Sequence, residues 1–117
     1  MAVKHVDLED RYIPKTSDFD ITVRVVIENG QPGSYSIFLG KVLVSINKPG
    51  NLGTKMQIDS KNTIVSVAVV NTLKETNWTS MSVFVNENGQ ESQYGPYSVQ
   101  VDNNLDSIIY SLKLVHK

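Results

Sequence analysis

Asn62 to Thr72 reads NTIVSVAVVNT, and its alternation decides the fold. Val65, Val67 and Val69 fall on one side of an extended chain, while Ile64, Ser66, Ala68 and Val70 fall on the other. Successive side chains of a strand point to opposite faces, whereas a helix would need apolar residues three and four positions apart. β-Branched residues dominate here because their stiff χ1 angles suit a pleated surface. The segment is expected to be the most buried strand, with both faces available for covering.

The same period recurs outward from it. Asp20 to Glu28, DITVRVVIE, sets Ile21, Val23, Val25 and Ile27 against Thr22, Arg24, Val26 and Glu28. Asn29-Gly30 and Pro32-Gly33 follow as turn residues, which predicts a hairpin into the next strand. In SYSIFLGKVLVSIN, Ser34 to Asn47, the apolar positions change from odd (Tyr35, Ile37, Leu39) to even (Val42, Val44, Ile46) across Gly40-Lys41. A one-residue slip would turn later side chains to the wrong face, so the sequence implies two strands, or one bent strand passing between sheets.

Leu52, Thr54, Met56 and Ile58 suggest a further strand; Met81 to Val85, Tyr97 to Val101 and Ile108 to Leu114 suggest three more, and Val3 to Leu8 an edge strand. Between Val85 and Tyr97, NENGQESQYGP reads as a long hairpin connection. Asp10 to Ser17, polar and broken by Pro14, reads as the most flexible stretch. Residues 1–117 are thus expected to form a single all-β domain. Its predicted architecture is a β-sandwich, immunoglobulin-like or jelly-roll-like, of about eight antiparallel strands with little or no helix.

The chain's 117 residues suit one core. Eleven basic against 12 acidic side chains leave a net charge of −1, too little field to draw the molecule to phosphate backbones, so nucleic acid is not an expected partner. The absence of cysteine excludes disulfides, thiolate nucleophiles and cysteine zinc sites. Charges at Lys4, Asp7 and Glu9 interrupt any secretory apolar run, which favours a cytoplasmic setting, and no stretch reaches the length of a membrane span.

Few residues suggest chemistry. Asp102, Asn104 and Asp106 in DNNLD have the alternate-oxygen spacing with which a calcium loop begins. Ser107 and Lys113 then stand where such a loop needs Gly and Glu, so a plain turn is the preferred reading. His5 and His116 lie near opposite termini and read as solvated. Glu9-Asp10 and Asp18/Asp20 read as charged edges that discourage stray strand pairing. No G-x-S-x-G elbow, P-loop or G-x-G-x-x-G occurs, so neither an enzyme nor a cofactor is expected. Asn77-Trp78-Thr79 matches a glycosylation acceptor and is taken as incidental.

Two binding surfaces are suggested instead. Val26, Phe38 and Leu43 sit on the polar side of their strands, joined by Ile109 and Val115 on the last one, and Val26 opposite Phe38 would begin an apolar patch. Lys41 to Lys74 holds five lysines and one acid, Glu75 to Leu112 five acids and no base; the two regions either neighbour each other and pair their charges or, on different edges, suit contact between copies. The expected function is a non-enzymatic protein-interaction or assembly module, self-associating through an apolar strand face. The alternative is a small carbohydrate-binding, lectin-like sandwich. There Trp78, Tyr94 and Tyr97 would stack on a sugar's C–H face while Asn88, Gln90 and Gln93 read its hydroxyls.

Overall fold

The computed structural model describes residues 2–15, 18–73 and 76–117. They form nine strands and one helical turn: β1 (Val3–Arg11), β2 (Ile21–Glu28), β3 (Gly33–Leu39), β4 (Val42–Ile46), β5 (Gly50–Gly53), α1 (Lys55–Ile58), β6 (Asn62–Val70), β7 (Trp78–Glu87), β8 (Gln90–Gln100) and β9 (Ser107–Val115). A sheet ordered β1-β9-β6-β3-β4 packs on one ordered β5-β2-β7-β8. The β-sandwich is therefore as the alternation predicts.

The core lies between the two inner faces. Ile37, Val65, Val67, Val69, Ile108, Tyr110, Leu112 and Leu114 from the first sheet meet Ile21, Val23, Met81, Val83 and Val85 from the second, all with no exposed surface. Each such aliphatic side chain contributes about 1.5–3 kcal/mol by leaving water. β6 sits centrally in its sheet but is not the most buried strand: its outer side chains are half-buried, while β7, with Ser80 and Ser82 also covered, is buried over more of its length.

Several expectations are corrected in detail. β1 runs parallel to β9, so the sheets are not wholly antiparallel. β2 and β3 lie in different sheets, so the turn residues after Glu28 form a crossing rather than a hairpin, and Val26 does not face Phe38. The parity change at Gly40 is a tight turn between β3 and β4 of one sheet, made possible by Gly40 at φ 60°. Leu52 belongs to a short β5 that ends at Gly53, and Thr54 caps α1, which takes Lys55 to Ile58 out of the expected strand. Gln57 Oε1 accepts the Thr54 N–H at 2.8 Å, the return arm of a T-x-x-Q capping box that outweighs the alternation there.

The supposed long connection after Val85 is mostly strand. Asn88 and Gly89, at φ 52° and 76°, make a two-residue turn, and Glu87 pairs directly with Gln90. Two consecutive left-handed residues match the twist of the flanking strands, which is why Asn-Gly is favoured there. β8 then bulges between Tyr94 and Tyr97, where Gly95-Pro96 interrupts the ladder, so both tyrosines keep facing inward. Asp10 to Ser17 is anchored over its described part, with Tyr12 and Pro14 buried; Thr16 and Ser17 lie outside the described residues.

β3, β6 and β9 adjoin as strands C, F and G do in an immunoglobulin sheet, and β2 and β5 as B and E do in its partner. The β7–β8 hairpin, inserted before β9, takes the side of β2 where strand A would lie. None of the helical residues described makes a helix long and apolar enough to cross a membrane.

Candidate functional site

Alternation places one set of side chains on the outer face of the five-stranded sheet. Register aligns them in rows: Glu9, Lys113, Ile64, Phe38 and Leu43 in one, Asp7, Ser111, Ser66, Ser36 and Ile46 in the next. A third row runs His5, Ile109, Ala68 and Ser34. The face thus has an apolar ridge along β3 and β4, with Leu43 47% and Ile46 54% exposed, and a floor of small residues. Ser111 is short among Ile64, Lys113, Asp7 and Glu9, and these residues with Leu8 line a shallow hollow. Phe38, Leu43, Ile109 and Val115 are therefore brought to one face, whereas Val26 stands on the other sheet opposite Ser82.

The sheet edges are poor templates for another strand. β1 alternates charged residues, seven of its nine positions being exposed. β4 is short, kinked by a register shift beside Val44, and lies between Lys41 and Lys48 ahead of Pro49. β5 has four residues and runs into α1, and β8 carries Pro96. Charge, bulges, shortness and proline each discourage edge pairing.

The three aromatic candidates do not come together. Trp78 is 46% exposed on the outer face of the four-stranded sheet, where it shares a shallow depression with Asn29, Thr76 and Ser98. Tyr94 and Tyr97 pack inward against the core. The Tyr94 hydroxyl donates to the Arg11 carbonyl at 2.8 Å, and burial pushes its pKa up to about 12, with Asp10 adding to the effect. On the same outer face Arg24 lies 4.0 Å from the Phe84 ring centre and grips both Glu91 oxygens at 2.9 and 3.0 Å. That guanidinium holds the Glu91 carboxyl below its ordinary range.

The remaining candidates serve the fold. Asp106 is buried and accepts from the Ala2 N–H at 2.8 Å and the Asn103 N–H at 3.0 Å; these bonds, Ala2 first, lower its pKa. Asp102 and Asn104 are exposed beside it, and among the described residues no three His, Cys, Asp or Glu side chains converge as a cation would need. The Asn77 side chain bonds Asn71 at 3.0 Å and reaches the Asp102 carbonyl at 3.5 Å. Thr79 is fully buried against Tyr110, so the Asn77-Trp78-Thr79 triplet is occupied by the fold itself. His5 pairs with Ile109 at the far end of β1 from His116, so the histidines do not meet.

His116 is not solvated but 2% exposed, its Nδ1–H donating to the Tyr12 carbonyl at 2.8 Å and its Nε2 accepting from Thr63 Oγ1 at 2.7 Å. Tyr12 in turn donates its hydroxyl to buried Glu87, whose carboxylate also receives the Lys15 N–H at 3.0 Å from each oxygen. Both residues continue an inward parity, Glu87 after Met81, Val83 and Val85, His116 after Tyr110, Leu112 and Leu114. That signal was present in the sequence. The hollow was less visible, because it needs Ser111, Ile64 and Asp7 side by side across three strands.

Compared with known proteins, the chain matches no family model, no curated protein and no solved structure.

Proposed function

We propose that this chain is a non-enzymatic protein-docking module whose contact surface is the outer face of the β1-β9-β6-β3-β4 sheet. The observation that carries the reading is the ridge of Phe38, Leu43 and Ile46 beside the hollow over Ser111, on a face bounded by blunted edges. A ridge next to a hollow supplies shape for recognition, and apolar area exposed on one side supplies the drive to be covered. The buried polar groups support the same reading. Glu87, His116, Asp106, Gln31 and Asn71 each bond within the fold, and no buried side-chain polar atom among the described residues lacks a partner.

A benzophenone amino acid placed at position 38 tests this in the producing cell, with position 93 on the opposite sheet as control. Position 38 is expected to give discrete protein adducts and position 93 none; equal labelling at both, or none at either, counts against the docking face.

A second reading is supported by Trp78, which is exposed in a shallow depression that Asn29, Thr76 and Ser98 also line. A pyranose stacked on that ring would find hydrogen-bond partners at its rim. Tyr94 and Tyr97 take no part in it. On a glycan array, binding by this route would fall at least about tenfold in Trp78→Ala, roughly 1.4 kcal/mol. An array without hits ends the idea.

A further inference from the structure

We infer that the ligand of the Trp78 depression is an uncharged pyranose, received on a plate that the buried Gln31 amide holds in place before binding. The inference rests on the carbohydrate reading above and names its class of sugar. Three crossings between the sheets meet at this end of the sandwich: β2 to β3 after Glu28, β6 to β7 after Val70, and β8 to β9 after Gln100. Gln31, 5% exposed, joins the first two. Its Nε2 donates to Asn71 Oδ1 at 2.8 Å and to the Trp78 carbonyl at 3.3 Å, while its Oε1 accepts the Thr72 and Leu73 N–H groups at 2.9 and 3.3 Å. Asn71, with no exposed surface, extends the tie to the third crossing by donating to the Asn103 carbonyl at 3.1 Å. The Trp78 N–H donates to Thr76 Oγ1 at 3.1 Å, so the residue is held on both sides of its Cα. Backbone ordered in this way before a ligand arrives removes part of the entropic cost of binding. Gln31 is thus a positioning residue that acts through Trp78.

The chemistry of the depression selects the sugar. Asn29, Thr76, Trp78 and Ser98 line it, and none of the four carries a charge. Ser98 Oγ donates to Ser80 Oγ at 3.1 Å, and the register sets the Glu28 carboxylate opposite Ser80 in that row. Lys4 lies apart, in a separate hollow with Gln100 and Asp102. Lys74 and Glu75, of opposite sign, fall outside the described residues. A uronic or sialic acid would bring its carboxylate to an indole face that is itself electron-rich, with no lining cation to replace the water it sheds. Hydroxyls meet neutral donors and acceptors like themselves, and polarised C–H groups suit the ring.

Trp78 is the chain's single tryptophan, so its emission reports this site alone. Titrating the full chain with neutral oligosaccharides of glucose, mannose or N-acetylglucosamine is expected to shift that emission with a dissociation constant on the order of millimolar, as one open plate supports. Oligogalacturonate and sialyllactose should bind at least about tenfold more weakly. Gln31→Glu keeps the two accepted bonds and loses the two donated ones. It is expected to weaken neutral-sugar binding at least about tenfold and to expose Trp78 to faster quenching by acrylamide. Should that variant fail to fold, the native chain decides: nitrogen-15 relaxation at the Trp78 amide, before any sugar is added, should give the order parameter of rigid backbone, about 0.85. A value below about 0.6 overturns the inference. So do acidic sugars that bind as tightly as neutral ones, or a folded Gln31→Glu with native affinity and native quenching; in each of these cases the carbohydrate reading survives. If no sugar of either kind moves the emission, that reading fails and takes the inference with it.

Discussion

Glu87→Ala is expected to lower folding stability by about 2–4 kcal/mol, a fall in melting temperature of roughly 10 °C. Glu87 is 4% exposed and, among the described residues, its carboxylate accepts from the Tyr12 hydroxyl and, with both oxygens, from the Lys15 N–H. Truncation strands the buried Tyr12 hydroxyl without its acceptor, and an unsatisfied buried donor costs more than a typical made bond contributes. Burial, and then Glu87 itself, already push the Tyr12 phenol well above its ordinary pKa. Glu91→Ala is the matching control. Its ion pair with Arg24 is of good geometry but solvent-exposed, and such pairs are worth about 0–1 kcal/mol. Urea melts of both variants, with a double-mutant cycle through Tyr12→Phe, would measure the coupling. Equal losses in Glu87→Ala and Glu91→Ala would refute the staple.

That staple explains why the stretch from Asp10 onward is ordered where its composition suggests a loop. Tyr12 donates its backbone N–H to the Val115 carbonyl at 2.9 Å, offers its own carbonyl to His116 and its hydroxyl to Glu87. One residue, through its backbone and its side chain, thereby ties the end of β1 to the ends of β7 and β9. A polar count along the sequence cannot register this, because a tyrosine's partners lie 75 and 104 residues away.

The layers of the fold were legible for the opposite reason. In β6 and β9 each residue's face follows from its immediate neighbours, so Val65 and Leu112 announce a buried side without any long-range information. Strand partners carry no such local mark. β1 pairs parallel with β9 and β2 crosses to the other sheet, and in both cases the deciding contacts are distant in sequence. Two local signals stand in the sequence: the Asn88-Gly89 turn, which polar neighbours extend into an apparent long connection, and the Thr54-x-x-Gln57 box, which the alternation of Leu52 to Ile58 masks. For the candidate site, Phe38 and Leu43 could be named as outliers from their own strands, whereas the hollow is a property of three strands at once. Trp78 and the two tyrosines were separated by the bulge at Gly95-Pro96, which resets the parity of β8 so that Tyr94 and Tyr97 both turn inward.

His116→Ala is expected to cost about 2–4 kcal/mol, through the lost ring volume and the bonds left open on Thr63 and the Tyr12 carbonyl. His116 also makes stability depend on pH. Burial lowers its pKa below the ordinary histidine value, against smaller opposing effects from the Tyr12 carbonyl and Asp59. The unfolded chain therefore binds the proton first as pH falls through about 6.5, so stability is lost from there downward until the folded pKa is reached. The neutral ring is the form that fits, since Nδ1–H must meet a carbonyl while Nε2 accepts from Thr63. Asp106 titrates in a separate window, because its lowered pKa puts its loss of stability in stronger acid. The melting temperature of the native chain should drop as pH falls below about 7, and His116→Gln, which keeps a donor and an acceptor without a titrating ring, should flatten that slope. An equal slope in His116→Gln would place the acid sensitivity elsewhere in the molecule.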